Sequence, residues 1–197
     1  MARRSEHTQD EIKQMVLQAA ERIVIEQGLD SLSARAIALD IGYTVGSIYK
    51  VFDNMADLIL HLKTRTLDDI ALTLQQALVV DDSPQCCLVA LSKAYLTYAK
   101  HNFNRWQMLF NQRQTAALVT PDWYKLQTAQ LFKLIEGQLK RHTPMASDEQ
   151  AHRAAQALWG GVNGICYSAV LEDVSDTERT VGLLVESFMR GWMLEER

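Results

Sequence analysis

No glycine occurs between Gly46 and Gly137, and the 197-residue chain has only three prolines, Pro84, Pro121 and Pro144. Strands need tight turns, and tight turns draw on glycine and proline. A chain so poor in both is expected to be all-α. The prolines themselves read as helix starts, because Ser83 precedes Pro84 and Thr120 precedes Pro121, the order of a capping residue and a first helical residue whose missing N–H costs nothing. Ser147 with Gln150 and Ser175 with Glu178 read as capping boxes. With the 3.6-residue apolar periodicity, these marks predict about nine helices, near 9–27, 34–41, 45–51, 55–81, 84–101, 105–114, 121–141, 147–172 and 176–194.

Composition narrows the function. The chain is 48% apolar and 22% charged with a formal charge of -4, so it has the makeup of a globular protein and no global basic excess that would advertise nucleic acid. Cys86, Cys87 and Cys166 are too few for a disulfide framework and lack zinc-site spacing, which fits a reducing cytoplasm. The opening MARRSEHTQDEIK has charges where a signal peptide is apolar, and no run reaches the roughly 18 apolar residues of a membrane helix, so no membrane partner is expected. Glycine-rich phosphate loops, HExxH and GxSxG are absent and the five histidines are scattered. We therefore expect neither an enzyme nor a metal or other cofactor. The adjacent Cys86 and Cys87 could sense oxidants, or simply pack near a helix start.

The chemistry gathers in Ser31 to Phe52, SLSARAIALDIGYTVGSIYKVF. Ser33 can cap a short helix carrying Ile37 and Ile41, Gly42 can supply a positive-φ turn, and Thr44 can cap a second short helix carrying Val45, Ile48 and Phe52. That pattern is a helix-turn-helix. Gly46 falls on the outer face of the second helix, where glycine costs about 1 kcal/mol relative to alanine unless another surface must approach closely.

Such a unit lays its second helix in the major groove of duplex DNA while flanking groups hold phosphates. The outward candidates are Thr44, Val45, Gly46, Ser47 and Lys50. Tyr49, Ser33, Arg35 and the arm residues Arg3 and Arg4 are placed to reach the backbone. Residues 1–58 hold six Lys/Arg against nine Asp/Glu, a net of -3, but Ser31 to Phe52 contains only Arg35, Asp40 and Lys50. DNA binding thus depends on the acids lying on other faces. The bland alternative is a helical hairpin that merely packs.

The run from Gln9 to Leu58, with IAL (Ile37 to Leu39), IGYTVGSIYKVF (Ile41 to Phe52) and Asn54 to Leu58, resembles the DNA-binding domain of TetR/AcrR-type bacterial regulators. Gly42, Thr44, Gly46, Ser47, Ile48, Tyr49 and Phe52 fall at the family's pattern positions. Met55 stands where the family usually has a phosphate-holding lysine. The resemblance implies a homodimeric, one-component repressor acting on a double-stranded DNA operator, with domains at 1–58 and 59–197, the second for ligand binding and dimerisation.

Further along, Tyr95 to Phe110 and Leu158 to Val170 are similar to the TetR-type C-terminal domain named for a Trp, His, Gly pattern, with Trp159 and Gly164 in place and Asn163 where His is usual. Trp159 and Asn163 are four residues apart and share a helix face. With Tyr95, Tyr98, Phe103, Trp106, Phe110, Trp123 and Tyr167 they are candidates to line a pocket for an unidentified small-molecule effector; aromatics at helical spacing are otherwise core. Apolar stripes Leu158, Val162 and Ile165, then Val181, Val185, Phe188 and Trp192, are expected to form a four-helix dimer interface, or else to be internal core. The alternative reading of the whole chain is an all-α dimer that binds a small molecule or partner and whose DNA head has weakened.

Overall fold

A computed structural model describes residues 7–78, 83–111, 119–171 and 174–192. Among them are nine α-helices and no strands. They are α1 (Gln9–Gln27), α2 (Ala34–Ile41), α3 (Val45–Ile48), α4 (Met55–Ala77), α5 (Pro84–His101), α6 (Phe103–Phe110), α7 (Asp122–His142), α8 (Asp148–Leu171) and α9 (Thr177–Trp192). A single 3-10 turn, Leu29–Ser31, follows α1. The expected all-α class and helix order are therefore observed.

Local chemistry fixes most of the boundaries. Thr8 opens α1 with a reciprocal capping box to Glu11, and Gly28 closes it at φ 80°. The Ser83 side chain accepts from the Cys86 N–H, with Pro84 in the first turn of α5. Ser147 and Gln150 exchange both bonds of the expected box at the start of α8. Three expectations need correction. The second helix of the helix-turn-helix stops at Ile48 rather than 51, and α6 opens two residues earlier than expected, at Phe103. The box proposed for Ser175 and Glu178 gives way to a start in which the Asp176 carbonyl accepts the Thr180 N–H, with Asp176 at φ 61°.

The chain divides into two compact units, Met1–Thr66 with Asn104–Tyr124, and Leu67–Phe103 with Lys125–Arg197. The division falls within α4, beyond the expected boundary at residue 58, and the first unit also takes in α6. The reason is chemical. Met108 of α6 belongs to the same buried core as Val16, Ile37, Ile48, Phe52 and Leu58. The Glu21 carboxylate is bracketed by Arg65 at 3.3 Å and Arg105 at 3.0 Å, and Asn104 Nδ2 donates to the Ile25 carbonyl at 2.9 Å. The buried Lys63 ammonium donates to the Asn111 carbonyl just past α6 at 2.8 Å.

In the second unit α5 packs on both α8 and α9, which also pack on each other. Leu158, Val162, Val181 and Val185 are spent in this core, each at most 2% exposed. That corrects their assignment to an association surface, because a side chain already buried in its own protomer has no area left for a partner. Ile165, Phe188 and Trp192 remain half-buried, and the Phe188 and Trp192 rings stack at 6.5 Å.

Candidate nucleic-acid interface

The helix-turn-helix is built by caps. Ser33 Oγ accepts the Ala36 N–H at 3.2 Å, so this hydroxyl holds the start of α2 while remaining exposed. At the other end Gly42 adopts φ 71°, ψ 26°, and its N–H and that of Tyr43 return to the carbonyls of Leu39 and Ala38. This left-handed exit satisfies two of the last carbonyls of α2 and turns the chain sharply. Thr44 stands at the N-cap of α3, but the expected side-chain cap is not made: its carbonyl accepts the Ser47 N–H while its hydroxyl lies 3.0 Å from the Ser47 hydroxyl. Ile48 and Phe52 are buried beneath, which fixes the roll of the short helix.

The opposite face is bare. Thr44, Val45, Gly46, Tyr49 and Lys50 are exposed and Ser47 is half-exposed, with Arg35 exposed on α2. Gly46 has no internal reason to be glycine, since a Cβ placed there would meet only the Thr44 hydroxyl, at 3.8 Å. Of the charges in this stretch, Asp40 is engaged by Arg22, leaving Arg35 and Lys50 to set the sign of the surface. Other acids of the head are used locally: Glu11 in the α1 cap, Glu21 by two arginines, and Asp57 by the Asp53 N–H. Backbone and side-chain hydrogen bonds from Thr8 hold the Glu11 carboxyl below its usual range. Arg3 and Arg4 lie outside the described residues.

Two features here were not anticipated. His7 Nδ1 lies 2.7 Å from the Tyr43 hydroxyl, bringing the start of the chain to the turn itself. No local signal joins residues so far apart. At the base of α4, the Asn54 side chain accepts the Asp57 N–H at 2.9 Å, and Met55 packs half-buried against the head core. Beside it His61 meets the edge of Phe52 and stacks on Trp123 at 5.0 Å, while Lys13 lies over Phe52.

The aromatic set proposed for a pocket is divided. Trp106, fully buried, and Phe110 pack edge to face in the first unit, and Trp123 belongs there with His61. In the second unit the Tyr95 and Trp159 rings lie 4.2 Å apart, and the Tyr95 hydroxyl donates to Asn163 Oδ1 at 2.7 Å. Tyr98, also buried, donates to Asp69, Phe103 is half-buried, and Tyr167 is exposed on α8. The second unit does hold an apolar cavity, but its walls are mainly aliphatic. Leu74 of α4, Leu91 and Ser92 of α5, Ile135 of α7, and Trp159 and Val162 of α8 line it. Of the nine proposed pocket residues only Trp159 reaches the wall. The correction is that Leu158 and Val162, assigned from sequence to the dimer, line the cavity instead.

The chain sets a capped helix-turn-helix on a long first helix and follows it with a helical second unit. Residues 16–62 match the family described as bacterial regulatory proteins, tetR family. The chain thus carries the tetR-family domain and, over nearly its whole length, the fold seen in that family's solved members. A TetR-family transcriptional regulator from Streptomyces coelicolor superposes with a TM-score of 0.66 at 20% identity, covering 91% of this chain and 98% of that one. The TetR family transcriptional regulator PfmR from Thermus thermophilus gives 0.64 at 16%, covering 89% and 97%. A protein of unknown function from Rhodococcus sp. RHA1 gives 0.74 at 19%, covering 96% and 98%. In sequence, the HTH-type transcriptional regulator Rv1816 of Mycobacterium tuberculosis is 25% identical over 115 residues, which span 57% of this chain and 49% of that protein. Those of these relatives whose names state a role are named as transcriptional regulators. No described helix is long and apolar enough to cross a membrane.

Proposed function

We propose that the chain is a homodimeric DNA-binding transcriptional regulator, a repressor that leaves a pseudo-palindromic operator when a small molecule binds its second unit. The observation that carries this reading is the bare α2–α3 face. Its caps fix the backbone, its glycine answers to no internal packing, and its free charges are cationic. Thr44 to Ser47 would face base edges in the major groove, and Arg35, Tyr49, Lys50 and Ser33 would hold phosphates, with the arm of Arg3 and Arg4 alongside. The functional head would then be the whole first unit rather than residues 1–58.

Association would use the outer face of α8 rather than its buried stripe. Ala157, Gly160, Gly164, Tyr167 and Leu171 are all exposed and recur at spacings of three and four residues. A Cβ at Gly160 or Gly164 would meet nothing within 4 Å, so neither glycine serves the protomer. Exposed helical glycines cost about 1 kcal/mol each, which a close approach by a second backbone would justify. Half-buried Phe188 and Trp192 of α9 would complete the seam. For the switch, α4 contributes Leu58 to the head core and Leu74 to the cavity wall, so a ligand that shifts Leu74 acts on a helix shared with the head.

The test is capture of genomic fragments by the full chain, followed by titration of the enriched duplex with Tyr49→Ala and Lys50→Ala proteins. Each should lose about 1–3 kcal/mol if it makes a base contact, or bind all sequences uniformly more weakly if it holds phosphate. Unchanged affinity in both, with folding intact, would favour a dimer with a weakened head.

A further inference from the structure

Tyr43 lies between Gly42, the left-handed exit of α2 at φ 71°, and Thr44, the first residue of the bare α3 face, so the turn itself fixes where its side chain starts. That side chain is half-buried, and among the described residues its hydroxyl has one hydrogen-bond partner, Nδ1 of His7 at 2.7 Å. The two ring centroids are 6.1 Å apart and the planes tilt by 59°, so hydrogen bonding rather than stacking joins them.

A single hydrogen lies between Nδ1 and the phenol oxygen. When the ring is neutral, either atom can supply it; when the ring is an imidazolium, Nδ1 must, because both ring nitrogens then carry hydrogen. The Tyr43 O–H is then turned away from His7 as a donor beside a positive charge. A donor and a cation bordering a duplex-facing surface suit a phosphodiester oxygen, an acceptor that bears negative charge.

The charges nearby are compatible with that state. Beside His7, the Glu11 carboxyl is held below its usual range first by hydrogen bonds from Thr8 and last by the charge of His7 itself, so the two groups are within electrostatic reach. Oε2 of Glu11 is taken by the Thr8 N–H and hydroxyl at 2.6 and 3.0 Å. Asp10, exposed in the same first turn, opposes an incoming phosphate. On the helix-turn-helix, Asp40 is engaged by Arg22, and the exposed Arg35 and Lys50 add positive charge.

We propose that His7 and Tyr43 together form a phosphate-binding site for the duplex backbone, occupied with His7 as the imidazolium, so that DNA binding takes up a proton in each subunit. This rests on reading the chain as a DNA-binding regulator. The site touches no base and adds affinity without sequence preference.

Titration of a duplex of arbitrary sequence with the full chain at low salt tests it, since a backbone contact needs no operator. Affinity should rise as the pH falls from about 8 to 6, by up to about tenfold per pH unit for each subunit engaged. His7→Gln offers Tyr43 a hydrogen-bond partner but cannot take the proton. It should bind with little pH dependence and with a salt slope lower by about 1 per subunit. His7→Lys, cationic throughout, should bind at the upper end of the pH range about as tightly as the parent does at the lower end. Tyr43→Phe should bind every duplex about tenfold more weakly. His61→Gln should keep the parent's pH dependence. The proposal is overturned if the parent's affinity is flat over this range, if His7→Gln retains the pH dependence or His61→Gln removes it, or if Tyr43→Phe binds as tightly as the parent. A chain that binds no duplex at any pH loses the regulator reading as well; one that binds duplex with the same pH and salt dependence in all the His7 and Tyr43 variants loses this site alone.

Discussion

Tyr95 of α5 donates its hydroxyl to Oδ1 of Asn163 on α8 at 2.7 Å, and its ring lies 4.2 Å from Trp159, one turn earlier on α8. One residue thereby holds both the polar and the aromatic side chain of one face of that helix. Asn163→Leu leaves the Tyr95 hydroxyl buried without that acceptor and should cost about 1–3 kcal/mol of stability. Adding Tyr95→Phe should recover part of the loss, because removing both partners costs less than removing one. Urea denaturation of the two single variants and the double variant measures the coupling.

Met55 stands at the first residue of α4, half-buried against the head core. Met55→Lys can keep its stem on that surface while its ammonium reaches outward. Operator binding should tighten, and the slope of log affinity against log salt should steepen by about 2 per dimer if both subunits gain a phosphate contact. An unchanged slope would mean that this helix end does not face the backbone.

The α8 stripe makes a contrast between neighbouring positions. Gly164→Leu has open space in the protomer and should leave its thermal unfolding nearly unchanged while sedimentation shows monomers. Val185→Asp, one of the buried set, should instead abolish folding. A dimeric Gly164→Leu protein would remove this face from the interface.

His61 lies between Phe52 and Trp123, and its pKa is lowered from 6.5, chiefly by burial and then by Lys13, with Asp57 opposing. The folded chain therefore prefers the neutral imidazole. Its contribution to stability is present above pH 6.5 and is lost as pH falls through the lower folded value, because the unfolded chain then binds the proton more readily. Denaturation midpoints should fall between about pH 7 and 5, and His61→Gln should flatten that part of the profile.

The three thiols should differ in reactivity. Burial pushes the Cys166 thiol up to about 12, whereas Cys86 is exposed on the first turn of α5. At neutral pH an alkylating reagent should label Cys86 in the native protein and leave Cys166 untouched until unfolding, as intact-mass analysis would show.

What could be read from the sequence was local. Ser33 and Gly42 each act within four residues of their own position, so one cap and a left-handed turn disclosed the helix-turn-helix directly, although Thr44, read as a second cap, makes no side-chain bond to the backbone. The apolar stripe of α8 and α9 was visible too, but periodicity states only that a face is covered. It cannot distinguish a neighbouring helix of the same chain from a second copy, and Leu158, Val162, Val181 and Val185 were misassigned for that reason. Glycine held the missing signal in a form that needed coordinates. An added Cβ at Gly161 would approach the end of the Leu184 side chain to 2.9 Å, so that side chain would have to shift, while Gly160 and Gly164 face open space. Trp106 and Trp123 show the same limit, since nothing in their spacing reveals that they pack in the first unit.

Glu21 grips one arginine from α4 and another from α6, and Met108 fills a place in the head's core. The head is consequently not a portable cassette. A fragment ending at Thr66 would carry Glu21 with half of its counter-charge and a core missing Met108, and a chimaera that transplants the head alone onto another regulator would inherit both defects. Exchange of specificity between such proteins should therefore succeed when Asn104–Tyr124 travels with the N-terminal segment, so that the unit of inheritance is discontinuous in sequence although continuous in space.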